Sequence, residues 1–348
     1  MKGIKNKKIA LVGGAGFIGH NLALKLASLG ANVTIFDAFS VNNVLTQLEK
    51  GVNTNNDELY SYFLKERMAL LIKSGVKIRI GDFSDRFVSA KLLDENFDVV
   101  YLLAAVSHAS RSNTNPSYAM SNSLLPFVNV VNELAQRNTR LVFLSSSTVY
   151  GNFEKEIVTE EDICNPFGMY AVMKYSCEMI LNEMGKNVDF NYSVIRPSAL
   201  YGERCISRRV SQIFLENSAA GMKNSFLGNG DEKLDFTYIQ DLIQGLILAG
   251  FEEKARGEVF NITFGEAQKV LKLIDILKEY FPDTTVNIEP RNQATPLRGT
   301  LSNEKARDLL GFKPNFPLEK GYAKYIQWYQ KFLKENNLDL TKVAQVNE

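Results

Sequence analysis

The stretch Gly13-Gly14-Ala15-Gly16-Phe17-Ile18-Gly19 decides the fold of this chain. It follows a short apolar run at residues 8–12 and opens a segment, 17–29, whose apolar residues recur at helical spacing. Glycines at its first, fourth and seventh positions allow a tight turn, a close approach of the backbone to a pyrophosphate, and close packing of helix on strand. The N-terminus of that helix faces the negative charge. The stretch therefore predicts the first strand, turn and helix of a dinucleotide-binding sheet.

Asp37 supplies the acid that a dinucleotide ribose requires. It follows the next predicted strand, residues 32–36, and stands eighteen residues beyond Gly19. A carboxylate at this place accepts hydrogen bonds from the ribose hydroxyls and repels a 2′-phosphate, which favours NAD over NADP. A structural cap is the alternative for Asp37, as a structural turn is for the glycines. The glycine turn and the acid together predict an NAD site.

The first half of the chain alternates apolar runs with amphipathic segments, which is typical of parallel strands joined by crossover helices. We therefore predict an α/β fold, a Rossmann-type doubly wound parallel sheet. Residues 38–75 form a long connection with one helix at 58–73, which indicates a role over the cofactor cleft or at an interface. The further predicted strands are 77–80, 99–103, 141–144 and 191–195, and the further predicted helices are 118–136 and 170–184.

After Arg196 the alternation gives way to glycine turns, prolines and separate helices. This change of pattern predicts a smaller, mostly α-helical C-terminal domain that binds the substrate. Residues 235–262, with one helix and one strand, are predicted to return to the first domain. The predicted units are an NAD-binding domain at 1–195, a substrate domain at 196–234 and 263–335, and a polar tail at 336–348.

Composition excludes several classes of protein. The 348 residues carry a net charge of +1, which gives no broad attraction to nucleic acid or to an anionic membrane. No apolar run approaches the roughly 20 residues that cross a bilayer. Cys164, Cys177 and Cys205 have neither the spacing of a metal site nor that of a redox pair. We therefore expect a cytoplasmic protein with free thiols, no metal, and a ligand whose charge is bound locally.

Tyr170-Ala171-Val172-Met173-Lys174 places a phenol and an ammonium group one helical turn apart. A free tyrosine loses its proton only at about pH 10, but a neighbouring cation stabilises the phenolate. Such a phenolate can take a hydroxyl proton while a hydride leaves the same carbon for a nicotinamide. Ser145-Ser146-Ser147-Thr148-Val149-Tyr150-Gly151 offers a hydroxyl that can share the substrate's hydrogen bond. The alternatives are an exposed helical pair and ordinary turn chemistry.

The motifs of the chain, in their order, resemble those of the extended short-chain dehydrogenase/reductases, the NAD-dependent nucleotide-sugar epimerases and dehydratases. The likeness extends from about Lys7 to about Phe332. Besides the stretches already quoted, it rests on Gly81-Asp82-Phe83-Ser84-Asp85, Leu103-Ala104-Ala105, residues 196–202 and Leu309-Leu310-Gly311-Phe312-Lys313-Pro314.

The resemblance implies roles for these residues. Tyr170 is the expected catalytic acid and base, Lys174 is expected to bind the nicotinamide ribose, and Ser146 matches the hydroxyl partner. The family also implies tightly held NAD and a homodimer through a four-helix bundle, formed by the helices that begin near Tyr118 and Tyr170, with a monomer core as the alternative. The residues expected at the cofactor are Gly13, Gly16, Phe17, Ile18, Gly19, Asp37, Asp82, Phe83, Leu103, Ala104 and Ala105, together with Tyr170 and Lys174.

Members of this family epimerise, dehydrate, decarboxylate or simply oxidise a nucleotide sugar, and all begin with removal of a hydride, usually from C4. The 4,6-dehydratases carry an Asp-Glu pair directly after the hydroxyl residue, where this chain has Ser147 and Thr148. Neither can protonate a leaving hydroxyl as a carboxylic acid does, which disfavours dehydration. Ser107 and His108, however, lie in a stretch that resembles one frequent in those dehydratases. We expect Ser107, His108 and Ser147 at the sugar, with a structural histidine as the alternative for His108.

Two departures from the family concern the substrate's diphosphate. The family often has asparagine or threonine where this chain has Ala199, and an arginine where it has Leu234. Loss of a bidentate donor weakens the binding of a diphosphate, and Lys233 is the adjacent substitute. The further candidates are Arg204, Arg208, Arg209, Arg291 and Arg298, and a solvated surface position is the alternative for each.

The resemblance and these residues favour a nucleotide-sugar epimerase that oxidises C4, forms a keto-sugar and receives the hydride back, so that NAD is regenerated. A nucleotide-sugar 4-dehydrogenase or reductase of the same fold remains open, because no residue in the sequence enforces the return. A 4,6-dehydratase or a decarboxylase is less favoured. A non-catalytic NAD-binding sensor is remote, since binding alone needs no phenol beside a hydroxyl donor.

Overall fold

The computed structural model describes residues 3–40, 43, 55–104, 113, 115–135, 137–290 and 296–340. The described strands are β1 (Lys8–Val12), β2 (Asn32–Asp37), β3 (Lys77–Ile80), β4 (Val99–Leu102), β5 (Arg140–Leu144), β6 (Ile157–Val158), β7 (Tyr192–Arg196), β8 (Leu200–Tyr201), β9 (Asn224–Leu227), β10 (Lys233–Leu234), β11 (Thr237–Tyr238), β12 (Glu258–Asn261), β13 (Gln268–Lys269), β14 (Val286–Glu289) and β15 (Thr300–Leu301). Seven of these form one sheet in the order β12-β7-β5-β4-β1-β2-β3, and every pairing in it is parallel.

Alternate residues of the central strands enter two separate hydrophobic cores. In β1, Ile9 and Leu11 lie in one core, whereas Ala10 and Val12 lie in the other. All residues of β4, β5 and β7 are buried, as expected when helices cover both faces of a parallel sheet. The predicted doubly wound α/β fold is therefore confirmed.

Helices cover both faces of this sheet. α1 (Phe17–Ser28) packs against α7 (Ile239–Phe251) on one face, and α4 (Pro116–Leu134) packs against α3 (Arg86–Leu92) and α5 (Met169–Val188) on the other. Among the described helices, none is both long enough and apolar enough to cross a bilayer. The described helices are α1 (Phe17–Ser28), α2 (Asn55–Lys73), α3 (Arg86–Leu92), α4 (Pro116–Leu134), α5 (Met169–Val188), α6 (Val210–Ala219), α7 (Ile239–Phe251), α8 (Lys272–Lys278), α9 (Glu304–Leu310) and α10 (Leu318–Glu335).

The chain after Arg196 adds helices and short strand pairs. β8 pairs with β11, β9 with β14, and β10 with β13, while β15 pairs with β6 from the first half. β12 differs, since it joins the central sheet beside β7. The buried face of α10 contains Tyr322, Tyr325, Tyr329 and Phe332, which recur at helical spacing. This second half brings its loops and α6 to the carboxyl ends of the central strands, where the cavities described next are lined by residues from both halves.

Candidate active site

The turn after β1 leaves no space for a side chain at several of its glycines, among them Gly13 and Gly19. Gly13 has a φ of +82°, and a Cβ there would lie 2.7 Å from the backbone nitrogen of Ala104. A Cβ at Gly19 would lie 2.6 Å from Cα of Gly14, so α1 packs directly on the turn. Glycine alone satisfies both positions. This packing brings the N-terminus of α1 to the wall of a cavity that Gly16 also lines, where the helix dipole favours an anion.

Asp37 ends β2 in the wall of the same cavity. Its Oδ2 accepts a hydrogen bond from the backbone N–H of Ala15 at 2.9 Å, and its Oδ1 accepts one from Phe39 at 2.7 Å. Burial raises the pKa of Asp37, and these two bonds oppose the rise. Because a carboxylate has about four acceptor sites, Asp37 can fix the turn and still accept from ribose hydroxyls.

This first cavity has the features that a dinucleotide requires. Its wall combines a glycine turn, the start of a helix and a carboxylate at the end of the adjacent strand, so the described residues fit NAD. Within the described ranges no cluster of side chains could hold a metal ion. Ala105 lies outside the described residues. The expected cofactor residues that line this cavity are Gly13, Gly16, Phe17, Ile18, Gly19, Asp37, Asp82, Phe83, Leu103 and Ala104.

Arg67 is a wall residue of the first cavity that the sequence pattern did not indicate. It projects from α2 and is 1% exposed. Its Nε donates to the carbonyl oxygen of Arg204 at 3.1 Å, whereas its Nη1 has no hydrogen-bond partner in the described part of the chain. Burial lowers the pKa of Arg67, and the nearby Asp37 carboxylate is among the groups that oppose this. Arg67 therefore brings a positive charge close to Asp37.

A second cavity, of about 410 Å³, lies beside the first and has the size of a small-molecule site. Ser146, Tyr170 and Lys174 all line it. The two cavities share wall residues and are therefore adjacent. The three residues expected to carry the chemistry thus lie beside the cavity that fits NAD. The shared residues are Ile18, Leu103, Leu200 and Arg209.

Tyr170 lies in the first turn of α5, and Lys174 lies one turn later. The start of α5 is fixed because the backbone N–H of Met169 donates to Oδ1 of Asn113 at 2.8 Å. Lys174 is 4% exposed, and its Nζ donates to the carbonyl oxygen of Leu144 at 2.6 Å. This bond holds the ammonium group at the carboxyl end of β5, while Tyr170 stays half-buried at the cavity.

The loop after β5 is anchored by a buried charge network that the sequence did not reveal. Ser146 caps a short 3-10 helix, Ser147–Tyr150, at the start of this loop. The preceding hydroxyl, of Ser145, donates to the carboxylate of Glu178 on α5. Glu178 also accepts from Arg196, at 3.1 Å from Nε and 2.5 Å from Nη2. The network ties the loop to the helix that carries the candidate phenol.

The candidate basic residues occupy different places. Arg209 lines both cavities at the N-terminus of α6. Arg204 lines neither cavity, since its guanidinium pairs with Glu66 at 3.2 Å and donates to Nε2 of His20 at 3.1 Å. Lys233 is exposed and also lines neither cavity. Of these three basic residues, which the sequence alone does not distinguish, only Arg209 therefore lines the two cavities.

Arg298 reaches the second cavity from the segment before β15. Its Nη1 donates to the carbonyl oxygens of Ser147 at 3.0 Å and Gly151 at 3.1 Å. Burial lowers the pKa of Arg298 to about 10. Ser147 lines the same cavity. The remaining expected substrate residues, Ser107, His108 and Arg291, lie outside the described residues.

Known proteins resemble this chain over nearly its whole length. A putative UDP-glucose 4-epimerase of Methanocaldococcus jannaschii is 26% identical over 94% of this chain and 99% of its own length. UDP-glucuronate 4-epimerase 2 of Arabidopsis thaliana is 26% identical over 97% of this chain and 79% of its own.

The crystal structure of UDP-glucuronic acid 4-epimerase from Bacillus cereus, in complex with UDP-glucuronic acid and NAD, has the same fold. Its TM-score is 0.81 over 93% of this chain and 99% of that chain, at 23% identity. A family model, the NAD-dependent epimerase/dehydratase family, matches residues 9–263. The chain therefore belongs to the NAD-dependent epimerase/dehydratase family.

Proposed function

We propose that this chain is a nucleotide-sugar epimerase that inverts C4 through a keto-sugar. One observation carries the proposal: the cavity lined by Tyr170, Lys174 and Ser146 meets the cavity of the glycine turn and Asp37. The two relatives described above are named as 4-epimerases, which favours epimerisation over net oxidation.

Residues of the protein transfer the proton of the C4 hydroxyl group. Bound NAD supplies the chemistry of accepting a hydride and giving it back. Tyr170, as phenolate, accepts the proton of the C4 hydroxyl, and Ser146 hydrogen-bonds the same oxygen. The ammonium group of Lys174, one turn away, stabilises the phenolate. Tyr170 returns the proton to the same oxygen at the end of the cycle, so neither substrate nor enzyme gains or loses a proton.

Binding roles follow from the walls of the two cavities. Gly13 and Gly16 are proposed to hold the cofactor's pyrophosphate, and Asp37 its adenine-side ribose. Arg209, together with the first turn of α6, is proposed to bind the diphosphate of the sugar nucleotide. Arg204 and Lys233 are not included, because neither lines either of these two cavities.

The decisive experiment follows the sugar and the cofactor together. The purified protein is incubated with UDP-, GDP-, CDP- and dTDP-sugars in deuterated water, with NMR of the sugar and absorbance of NADH recorded in parallel. We expect a new stereoisomer without net NADH. Stoichiometric NADH with a keto-sugar would contradict the epimerase and establish the second candidate, a 4-dehydrogenase.

Tyr170→Phe separates an enzyme from an NAD-binding sensor. Loss of the phenol is expected to lower kcat by about 10²- to 10⁴-fold, the usual contribution of a positioned acid–base group. The bound NAD, measured after denaturation, is expected to stay at the wild-type level. Tyr175→Phe, on the same helix but outside the second cavity, is the matched control and is expected to retain activity.

We also propose a homodimer through α4 and α5. Apolar side chains are exposed on both neighbouring helices, which suits the four-helix interface implied by the family. Leu125→Glu combined with Met179→Glu is expected to give a monomer by light scattering, and a monomeric wild-type protein would contradict the interface. The exposed residues are Met120, Leu125 and Val128 on α4, and Val172, Met179 and Ile180 on α5.

A cytoplasmic location is part of the same proposal. Cys164, Cys177 and Cys205 are all unpaired, as expected for a protein in a reducing compartment. Fractionation of cells that express the tagged protein tests this location, and recovery outside the cytoplasmic fraction would contradict it.

A further inference from the structure

Arg298 brings a positive charge into the second cavity, and no carboxylate in the described part of the chain forms an ion pair with it. Its guanidinium lies 5.5 Å from the centroid of the Phe153 ring. Burial lowers its pKa, and no carboxylate among the described residues opposes this. Arg196, which is buried, differs because its guanidinium pairs with the carboxylate of Glu178 at 2.5 Å. Arg298 is half-buried and has no counter-charge among the described residues, so an anionic group of the ligand that reaches it is favoured.

The hydrogen bonds of Arg298 show which edge of the guanidinium is available. Nη1 donates to two carbonyl oxygens of the loop, those of Ser147 and Gly151. Nε and Nη2 donate to none of the described residues. These two nitrogens present parallel N–H groups, and that edge binds both oxygens of a carboxylate or a phosphate. Arg298 is thus held by one nitrogen and keeps its bidentate edge for an anion.

The place of Arg298 indicates which part of the substrate carries that anion. Ser147 directly follows Ser146, so Arg298 is fixed to the loop that is proposed to contact the sugar. The proposed diphosphate contacts, Arg209 and the start of α6, lie instead where the second cavity meets the first. The position of Arg298 therefore fits a second anionic group of the substrate, one that the sugar itself carries.

We propose that Arg298 binds a carboxylate of the sugar, and that nucleotide-activated uronic acids are the substrates of this enzyme. The inference rests on the proposed function of the second cavity and adds the substrate class. Arg298 then determines specificity, because a neutral hexose leaves its half-buried charge without a partner from the substrate.

The test compares UDP-glucuronate with UDP-glucose, which carries a neutral hydroxymethyl group in place of the carboxylate. The wild-type enzyme is expected to have the higher kcat/KM with UDP-glucuronate. Arg298→Met is expected to lower that value about 30-fold, as on loss of a charge-assisted bidentate pair, and to change the value for UDP-glucose by less than about threefold. Arg298→Lys keeps the charge but not the planar edge and is expected to fall between.

The matched control is Arg256→Met, at a surface pair with Asp189, which is expected to change neither substrate. Equal losses for the two substrates in Arg298→Met would assign the residue to the diphosphate or to the loop alone and overturn the inference. A wild-type enzyme that prefers UDP-glucose would overturn it as well.

Calorimetric titration of the NAD-loaded protein distinguishes this inference from the proposed epimerisation. Selective binding of UDP-glucuronate that is lost in Arg298→Met supports the inference even where no epimer forms. Equal binding of the two sugar nucleotides, or binding of neither, overturns it.

Discussion

Glu178→Ala is expected to weaken both the fold and the reaction. Glu178 is 5% exposed and accepts from Nε and Nη2 of Arg196, itself 4% exposed, and from the hydroxyl of Ser145. Alanine leaves the guanidinium of Arg196 buried without a counter-charge, and removal of one partner of such a pair costs about 3 to 5 kcal/mol. With an unfolding entropy in proportion to the chain length, this corresponds to a fall of about 4 to 7 °C in Tm. A lower kcat is expected too, because the loop of Ser146 loses its tie to α5.

Thermal unfolding of Glu178→Ala is measured beside Glu183→Ala, which removes an exposed carboxylate paired with Lys186 on the same helix. The control is expected to melt within about 1 °C of wild type, because an exposed pair contributes little. The double variant Glu178→Leu/Arg196→Met removes both charges and is expected to recover most of the loss. A Glu178→Ala protein that melts within about 1 °C of wild type would refute the reasoning.

Two further predictions concern pH and the glycine turn. Burial raises the pKa of Glu216 to about 7, above its ordinary value of 4.5, so its ionisation lowers stability as the pH rises from 4.5 to 7. Glu216→Gln is therefore expected to show a smaller fall in Tm between pH 5 and pH 8 than wild type, and an identical fall would contradict this. Gly13→Ala is expected to lose bound NAD, because its Cβ would lie 2.7 Å from Ala104, whereas Gly75→Ala, with φ of +72° but no atom within 4 Å, is expected to keep it. The NAD released on denaturation is measured for both variants. A Gly13→Ala protein with wild-type NAD content would contradict the prediction.

The convergence of the predicted residues on the first cavity could be predicted because each has a fixed place relative to a strand end. Asp37 is the last residue of β2, whereas Gly13, Asp82 and Leu103 follow the ends of β1, β3 and β4. The carboxyl ends of parallel strands share one edge of the sheet, so these residues converge without any knowledge of their packing. The helical spacing of the tyrosine and lysine likewise fixes their relative position before the fold is known.

The remaining wall residues depend on tertiary packing. Arg67 enters the first cavity from α2, and Arg298 enters the second from a segment late in the chain, with no local pattern that marks either. Arg204 and Arg209 look equivalent in the sequence, yet only Arg209 lines the cavities, because His20 and Glu66 hold the other guanidinium. No local pattern marks Glu178, because its partner Arg196 lies on a different element, β7, and only the fold brings the two together.

The pairing of β12 has a consequence for the order in which the molecule is assembled during synthesis. The hydroxyl of Tyr150 donates to Oδ1 of Asn261 at 2.8 Å, and the backbone N–H of Asn261 donates to Glu160 at 2.6 Å. Asn261 belongs to β12, which emerges from the ribosome well after β7, the strand it covers. Until then β7 is an open sheet edge, and the loop of Ser146 lacks its outer support. The nascent chain therefore forms the first strands of the sheet early, whereas the loop of Ser146 gains its outer support late, and the edge of β7 stays unpaired in between.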